Sequence, residues 1–396
     1  MKIPITKPVF DDCEKKAVLK PLETGWLVQG PFVAEFEKLF ARYVGAQFAK
    51  ATTSCTTALH LALEALGIKK SDKVVVPSFT YIASANAIEY ANAEVVFCDI
   101  DLRTFNIDVE KLESIIQLDK KRKIKAIMPV NLFGLCADLP AIMQLAKKYG
   151  IKIVEDSACG LGAFIGKKHS GTFGDMGCFS FHPRKAITTG EGGMVITDDN
   201  NLTNLVASLR DHGASKSDLQ RHKEKDGSLL PEFNLRGYNY RMTDIQGAIG
   251  VCQIKKAATI IEGRRLIARR YSAALSGIPF LILPYLPLGY THGYQSYVCL
   301  FTAGEDLSRL TMHKIDRINK ARNNFMMKLE RRGISVRQGT HAVHTLGYYK
   351  NKYTLKDKDY LSSYAADRLS VTLPLYADMN DKEFNYVIEN IKEILK

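Results

Sequence analysis

Short apolar runs rich in β-branched residues recur between stretches of helical periodicity, and no other feature restricts the fold of this chain so strongly. The runs are Val74-Val75-Val76-Pro77, Glu94-Val95-Val96-Phe97-Cys98, Ala126 to Val130, Ile151-Lys152-Ile153-Val154 and Gly193-Met194-Val195-Ile196-Thr197. Between them, Thr57 to Leu66 and Leu139 to Tyr149 repeat apolar residues at helical spacing. Strands without a polar face, alternating with amphipathic helices, predict an α/β fold around a buried, mostly parallel sheet. At 396 residues the chain exceeds what one core usually organises, so two domains are expected. After an amphipathic stretch from about Thr243 to Leu275 the alternation weakens and Gly, Pro and Tyr become frequent, which puts a second domain near residue 255.

An apolar content of 46% excludes a disordered chain, and no run approaches the roughly 20 apolar residues of a membrane-spanning helix. The start, MKIPITKPVFDDCEKK, lacks the apolar core of an export signal, so a cytoplasmic protein is expected. Eight scattered cysteines without C-x-x-C pairs suggest neither a zinc site nor a disulfide framework, and they read as reduced and mostly buried. A net charge of +13 fits nucleic acid, an anionic membrane surface or a phosphorylated substrate, and charge alone does not choose. The densest basic run, Lys120 to Lys123 with Lys125, reads as a solvated face.

Chemistry concentrates between residues 151 and 197. One strand ends in Glu155-Asp156, a Gly-rich segment follows, and then a Ser-x-x-x-x-Lys element from Ser180 to Lys185. Ligands of open α/β sheets bind beyond the carboxyl ends of the strands, so Asp156 is placed to face Lys185 across a site. The segment FSFHPRKAITTGEGG, with VEDSACGLGA before it and GYNYRMTDIQGAIG after it, closely resembles the DegT/StrS family of sugar aminotransferases. The resemblance runs nearly end to end through GWLVQGP, TTSCTTALHLALEALG, PSFTYIASANAI, FCDIDLRTFNID and LSVTLPLYADM. It implies a pyridoxal 5′-phosphate (PLP) enzyme of fold-type I, the aspartate-aminotransferase-like architecture. Its large PLP-binding domain would span 1–254, and a smaller α+β C-terminal domain 255–396.

Matched position by position, the resemblance makes Lys185 the residue that joins PLP through its amine and later shuttles a proton. Burial and neighbouring cations are expected to shift that amine toward neutrality. Asp156 becomes the partner of the pyridine nitrogen. Glu155 would point to the opposite face as a structural residue, so its change to Gln is expected to be mild. Ser54, Cys55 and Thr56, opening a helix, are implied as phosphate ligands, since free N–H groups and the helix dipole favour an anion there. Cys55 stands where the family usually has Gly. Ser180 matches a second hydroxyl ligand, and Asn239 a residue that relatives donate across a dimer interface. Tyr81 matches the aromatic stacked on the cofactor ring, with Phe79 as its competitor. Cys159 replaces the Gln, His or Glu that relatives often carry near the ring's phenolic oxygen. Arg337, His341 and His344 fall in the substrate-facing segment, where Val343 replaces a common Pro. No carboxylate completes a metal site with these histidines, so none is expected.

The activity so implied moves an amino group from a donor, L-glutamate, to a nucleotide-linked keto-deoxysugar for amino-sugar and surface-polysaccharide synthesis, in a homodimer with shared sites. A small keto phosphate or a non-nucleotide sugar is the open alternative. Relatives that deoxygenate sugars replace the lysine with histidine, so Lys185 argues against that chemistry. A nucleic-acid partner or membrane insertion is not expected.

Overall fold

A computed structural model describes residues 1–224 and 230–396. Seven strands form the main sheet in the order Phe48–Thr52, Gly193–Thr197, Met176–Ser180, Lys152–Asp156, Ile124–Ile127, Lys73–Pro77 and Glu94–Cys98. Four of its six pairings are parallel, and Gly193–Thr197 runs antiparallel to both its neighbours. The helices Cys55–Ala65 and Leu139–Tyr149 coincide closely with the two helical stretches read from periodicity. The strand expected over Ala126 to Val130 instead ends at Ile127. Pro129 has no N–H to give a ladder, and beyond it only Val130 still bridges to Asp156.

A second, three-stranded antiparallel sheet joins Leu281–Ile282, Tyr297–Phe301 and Ser370–Leu373, covered by the helices Met312–Arg331 and Asp381–Ile394. The helix Asp244–Leu275 connects the two parts, and the boundary expected at 254/255 falls inside it. Its residues up to Ile261 pack with Phe36 and Phe40, whereas Ile267, Tyr271 and Leu275 belong to the core of the smaller part. Gly247 and Gly250 let its first half press against Pro31–Val44: a Cβ on either would lie 2.6 Å from Val33 N or from the Phe36 ring. Ile3 crosses over to pair with Ile334, so the first residues are built into the smaller part.

One expectation about cysteine is corrected. Cys13 and Cys252 form a disulfide, because the helix Asp12–Ala17 lies along Asp244–Leu275 and brings their Cα atoms to 6.0 Å. With a sequence separation of 239, no local pattern announces the pair. The other six are free, five of them buried and Cys159 partly so. The basic run at 120–123 is exposed. Among the described residues no helix is long and apolar enough to cross a membrane.

Candidate active site

At the carboxyl ends of the central strands a cavity of about 490 Å³ opens between the two sheets. Lys152–Asp156 delivers Asp156 to its floor as the last strand residue. The Asp156 carboxylate accepts from Ser84 Oγ at 2.7 Å and from Ala158 N at 3.1 Å. Burial pushes this carboxyl above the usual range, against the pull of those two donors and of Lys185. Glu155, one residue earlier, faces away from the cavity. It accepts from Gly171 N (2.6 Å), Phe173 N (2.7 Å), Gly174 N (2.8 Å) and Asn131 Nδ2 (3.0 Å), and so ties down the loop before Met176–Ser180.

Lys185 follows that strand on a turn closed by Lys185 N to His182 O (2.8 Å) and Thr189 N to Phe181 O (3.0 Å). Its Nζ donates to Cys159 Sγ at 3.2 Å. Burial works against its charge, yet the neighbouring Cys159, Cys55 and Asp156 outweigh burial and hold the amine above the usual lysine range. The shift toward neutrality expected from burial is thus opposed, first by Cys159 beside the amine and least by the Asp156 carboxylate.

Ser54 caps the helix Cys55–Ala65, its Oγ accepting from Thr57 N at 3.2 Å. Thr57 N and Ala58 N are thereby satisfied, while the N–H groups of Cys55 and Thr56 have no acceptor among the described residues. Cys55 takes helical geometry, so this position does not require glycine, and its thiol packs into the core. The close approach falls instead to Gly193, where a Cβ would lie 2.3 Å from Ser54 O. Ser180 ends its strand at the cavity wall. Tyr81 also lines the cavity and is 65% exposed, whereas Phe79 is buried against Phe105 and Phe133. The strand Phe79–Thr80 stops after two residues and the chain turns at Tyr81, which separates side chains that a longer strand would keep on one face.

From the smaller part, Arg337 lines the cavity, its backbone paired with Thr372. His341 does not line it; its side chain is 55% exposed, with Nδ1 4.0 Å from Asp367 Oδ1. His344 is corrected outright: it is buried outside the cavity with Nδ1 2.6 Å from Ser78 Oγ, and burial lowers its pKa to about 4. Asn239 lies exposed and outside its own chain's cavity, on a segment tied down through Tyr238 N to Leu209 O and Tyr240 N to Arg210 O. Sequence reasoning missed Ser84, Gln295 and Gln338. Gln295 Nε2 donates to Arg184 O at 2.8 Å and links the smaller part to the Lys185 turn. Ser84 carries a signal only in hindsight, one helical turn after Tyr81.

The donor set suits a phosphorylated pyridine: an amine, a buried carboxylate, a helix start with free N–H groups, and an exposed aromatic at one rim. The model of the DegT/DnrJ/EryC1/StrS aminotransferase family matches residues 8–392. The chain belongs to that family. It is 35% identical over 396 residues to GDP-perosamine synthase of Caulobacter vibrioides, covering 100% of this chain and 98% of that protein. To the spore coat polysaccharide biosynthesis protein SpsC of Bacillus subtilis it is 34% identical over 394 residues, covering 100% and 97%. The PLP form of Spr1654 from Streptococcus pneumoniae superposes with a TM-score of 0.88 at 27% identity, over 100% of this chain and 99% of that one. The protein is thus a PLP-dependent sugar aminotransferase with the fold of that class. When bound, PLP supplies an electron sink that stabilises negative charge on a substrate carbon.

Proposed function

We propose that this enzyme transfers an amino group from L-glutamate to a keto-deoxysugar carried on a nucleoside diphosphate, in cytoplasmic amino-sugar and polysaccharide synthesis. The observation that carries the reading is Lys185 facing Asp156 in a cavity whose smaller-part wall brings Arg337, a cation suited to a phosphate. Relatives named for perosamine and for spore coat polysaccharide support the same class of acceptor. The domain division is proposed within Asp244–Leu275, with the PLP-binding part before it.

In this reading Lys185 would hold the cofactor through its amine and, once the donor's amine has displaced it, the freed Nζ would take a proton from the donor's α-carbon and deliver one to the sugar carbon. Asp156 keeps the ring nitrogen protonated, because a buried carboxylate stabilises the positive charge beside it. Ser54, Cys55 and Thr56 hold the phosphate through hydroxyls and free N–H groups, and Ser180 adds a hydroxyl. Tyr81 covers the ring. Cys159 lies beside Lys185, where its thiol takes the place of the Gln, His or Glu that relatives often carry. Arg337 meets the acceptor's phosphate, and His341 is left to the outer rim.

Asn239 completes the neighbouring subunit's phosphate site, which makes the working unit a homodimer. Its segment also carries Leu230, Phe233 and Leu235, all exposed in one protomer, as a surface awaiting a second copy does. The test is a panel of keto nucleotide sugars assayed for glutamate-dependent amination. Turnover of one member supports the reading. Turnover confined to small keto phosphates or free sugars overturns the nucleotide part.

A further inference from the structure

The cavity wall at residues 337–340 is backed by a carboxylate that the reaction does not use. Asp367 lies near the end of the helix Leu361–Leu369, whose start is fastened just beyond the strand Glu94–Cys98. There Asp99 Oδ1 accepts from Ser363 N (2.7 Å) and Ser363 Oγ (2.6 Å), and its Oδ2 accepts from Ser362 N (3.1 Å). At the other end, Asp367 Oδ1 accepts from Ala342 N at 3.1 Å and from Gln338 Nε2 at 2.7 Å. Arg368 Nε stands 3.6 Å from Asp367 Oδ2, and His341 Nδ1 4.0 Å from Oδ1.

Gln338 Nε2 also donates to Thr340 O at 2.8 Å. An amide NH₂ has two hydrogens, and here both are committed. Flipping the amide would turn its oxygen toward two acceptors, Asp367 Oδ1 and Thr340 O, so the orientation is locked. What Gln338 can still offer is its Oε1, which has no donor among the described residues. Gln338 lines the cavity beside Arg337. The cavity wall therefore carries both a cation, Arg337, and a fixed acceptor, Gln338, and the chemistry matching the two is a phosphate attached to a group bearing a hydroxyl donor.

We propose that Gln338 reads a sugar hydroxyl of the acceptor and that Asp367 is the positioning residue that fixes it as an acceptor. The inference deepens the acceptor reading above and rests on it. Lys185 and Asp156 do not enter, so donor chemistry should not depend on this pair.

The experiment titrates PLP-loaded enzyme calorimetrically with GDP-mannose and UDP-glucose, each against GDP and UDP, which lack the sugar. Wild type should prefer the sugar nucleotide. Gln338→Leu and Asp367→Ala should each erase that preference, a loss of roughly 5–20-fold for one hydrogen bond, while GDP and UDP bind as before. Asp367→Asn should restore it, because an amide oxygen still accepts from Ala342 N and Gln338 Nε2. Retention of the preference in Gln338→Leu overturns the proposal. Equal loss of nucleotide and sugar nucleotide in Asp367→Ala shows a collapsed wall and overturns the positioning role. Failure of wild type to bind any nucleotide overturns the nucleotide reading instead. The same variants are then titrated with glucose 6-phosphate against inorganic phosphate, where a lost preference supports the hydroxyl reading and a retained or absent one overturns it.

Discussion

Glu155 and Asp156 are adjacent acids on one strand, and amide substitution should affect them in opposite ways. Four donors converge on Glu155: Phe173 N and Gly174 N on Oε1, Gly171 N and Asn131 Nδ2 on Oε2. In Glu155→Gln one oxygen becomes an NH₂ that faces two N–H groups, and no acceptor lies among the four for it to use. Two charge-assisted hydrogen bonds are lost at about 1.5–3 kcal/mol each, for a cost of about 3–6 kcal/mol. An unfolding entropy of about 2.1 cal/mol/K per residue over the whole chain converts this to a melting-temperature drop of about 4–7 °C. The mild effect expected from sequence is therefore revised to a large one. Asp156→Asn has an escape: Asn keeps an oxygen for Ala158 N, and Ser84 Oγ can rotate to accept from its NH₂. Its melting temperature without cofactor should stay within about 2 °C, while turnover falls by on the order of 10²-fold or more because the charge beside the ring nitrogen is gone. Scanning fluorimetry of the cofactor-free proteins, with turnover of the loaded ones, separates the two. A Glu155→Gln drop below about 1 °C, or an Asp156→Asn enzyme within a few-fold of wild type, refutes the assignment of faces.

Borohydride treatment of the PLP-loaded protein should fix the cofactor on Lys185, and peptide mapping that finds it on another lysine sinks the site. Lys185→Ala should abolish turnover while far-ultraviolet dichroism stays native. Mixing Lys185→Ala with Asn239→Asp under conditions of subunit exchange should partly restore activity, because one site of a mixed dimer receives neither defect. Exchange verified by mass without activity places the role of Asn239 within its own chain. His344, held neutral by burial with a pKa of about 4 against 6.5 in the unfolded chain, contributes stability that is complete above about pH 6.5 and lost as pH falls toward 4. The stability gap between wild type and His344→Asn should therefore narrow by about 1.2 kcal/mol between pH 6 and 5, and an unchanged gap shows that the imidazole is not held neutral.

The parallel sheet and the helices around it were legible in the sequence, as was the meeting of Lys185 and Asp156 at one cavity. Each depends on residues close together in the chain: continuous apolar runs, a 3.6-residue period, and a motif that fits within the stretch from residue 151 to 197. That Ser54, Cys55 and Thr56 open a helix was legible for the same reason, since a helix start is a local event. Tertiary structure decided what depends on distant segments. His344 looked like its neighbour Arg337 in sequence, but Ser78, 266 residues earlier, captures it inside the core. Cys13 finds Cys252 through helix packing, and the amine of Lys185 is set by which side chains the fold brings beside it. The Gln338 lock needs Asp367 from a separate helix, itself fastened by Asp99 just beyond the strand Glu94–Cys98. Hydrogen bonds and buried charges act over a few ångströms of space, and a sequence reports such proximity only where the chain itself keeps the partners near.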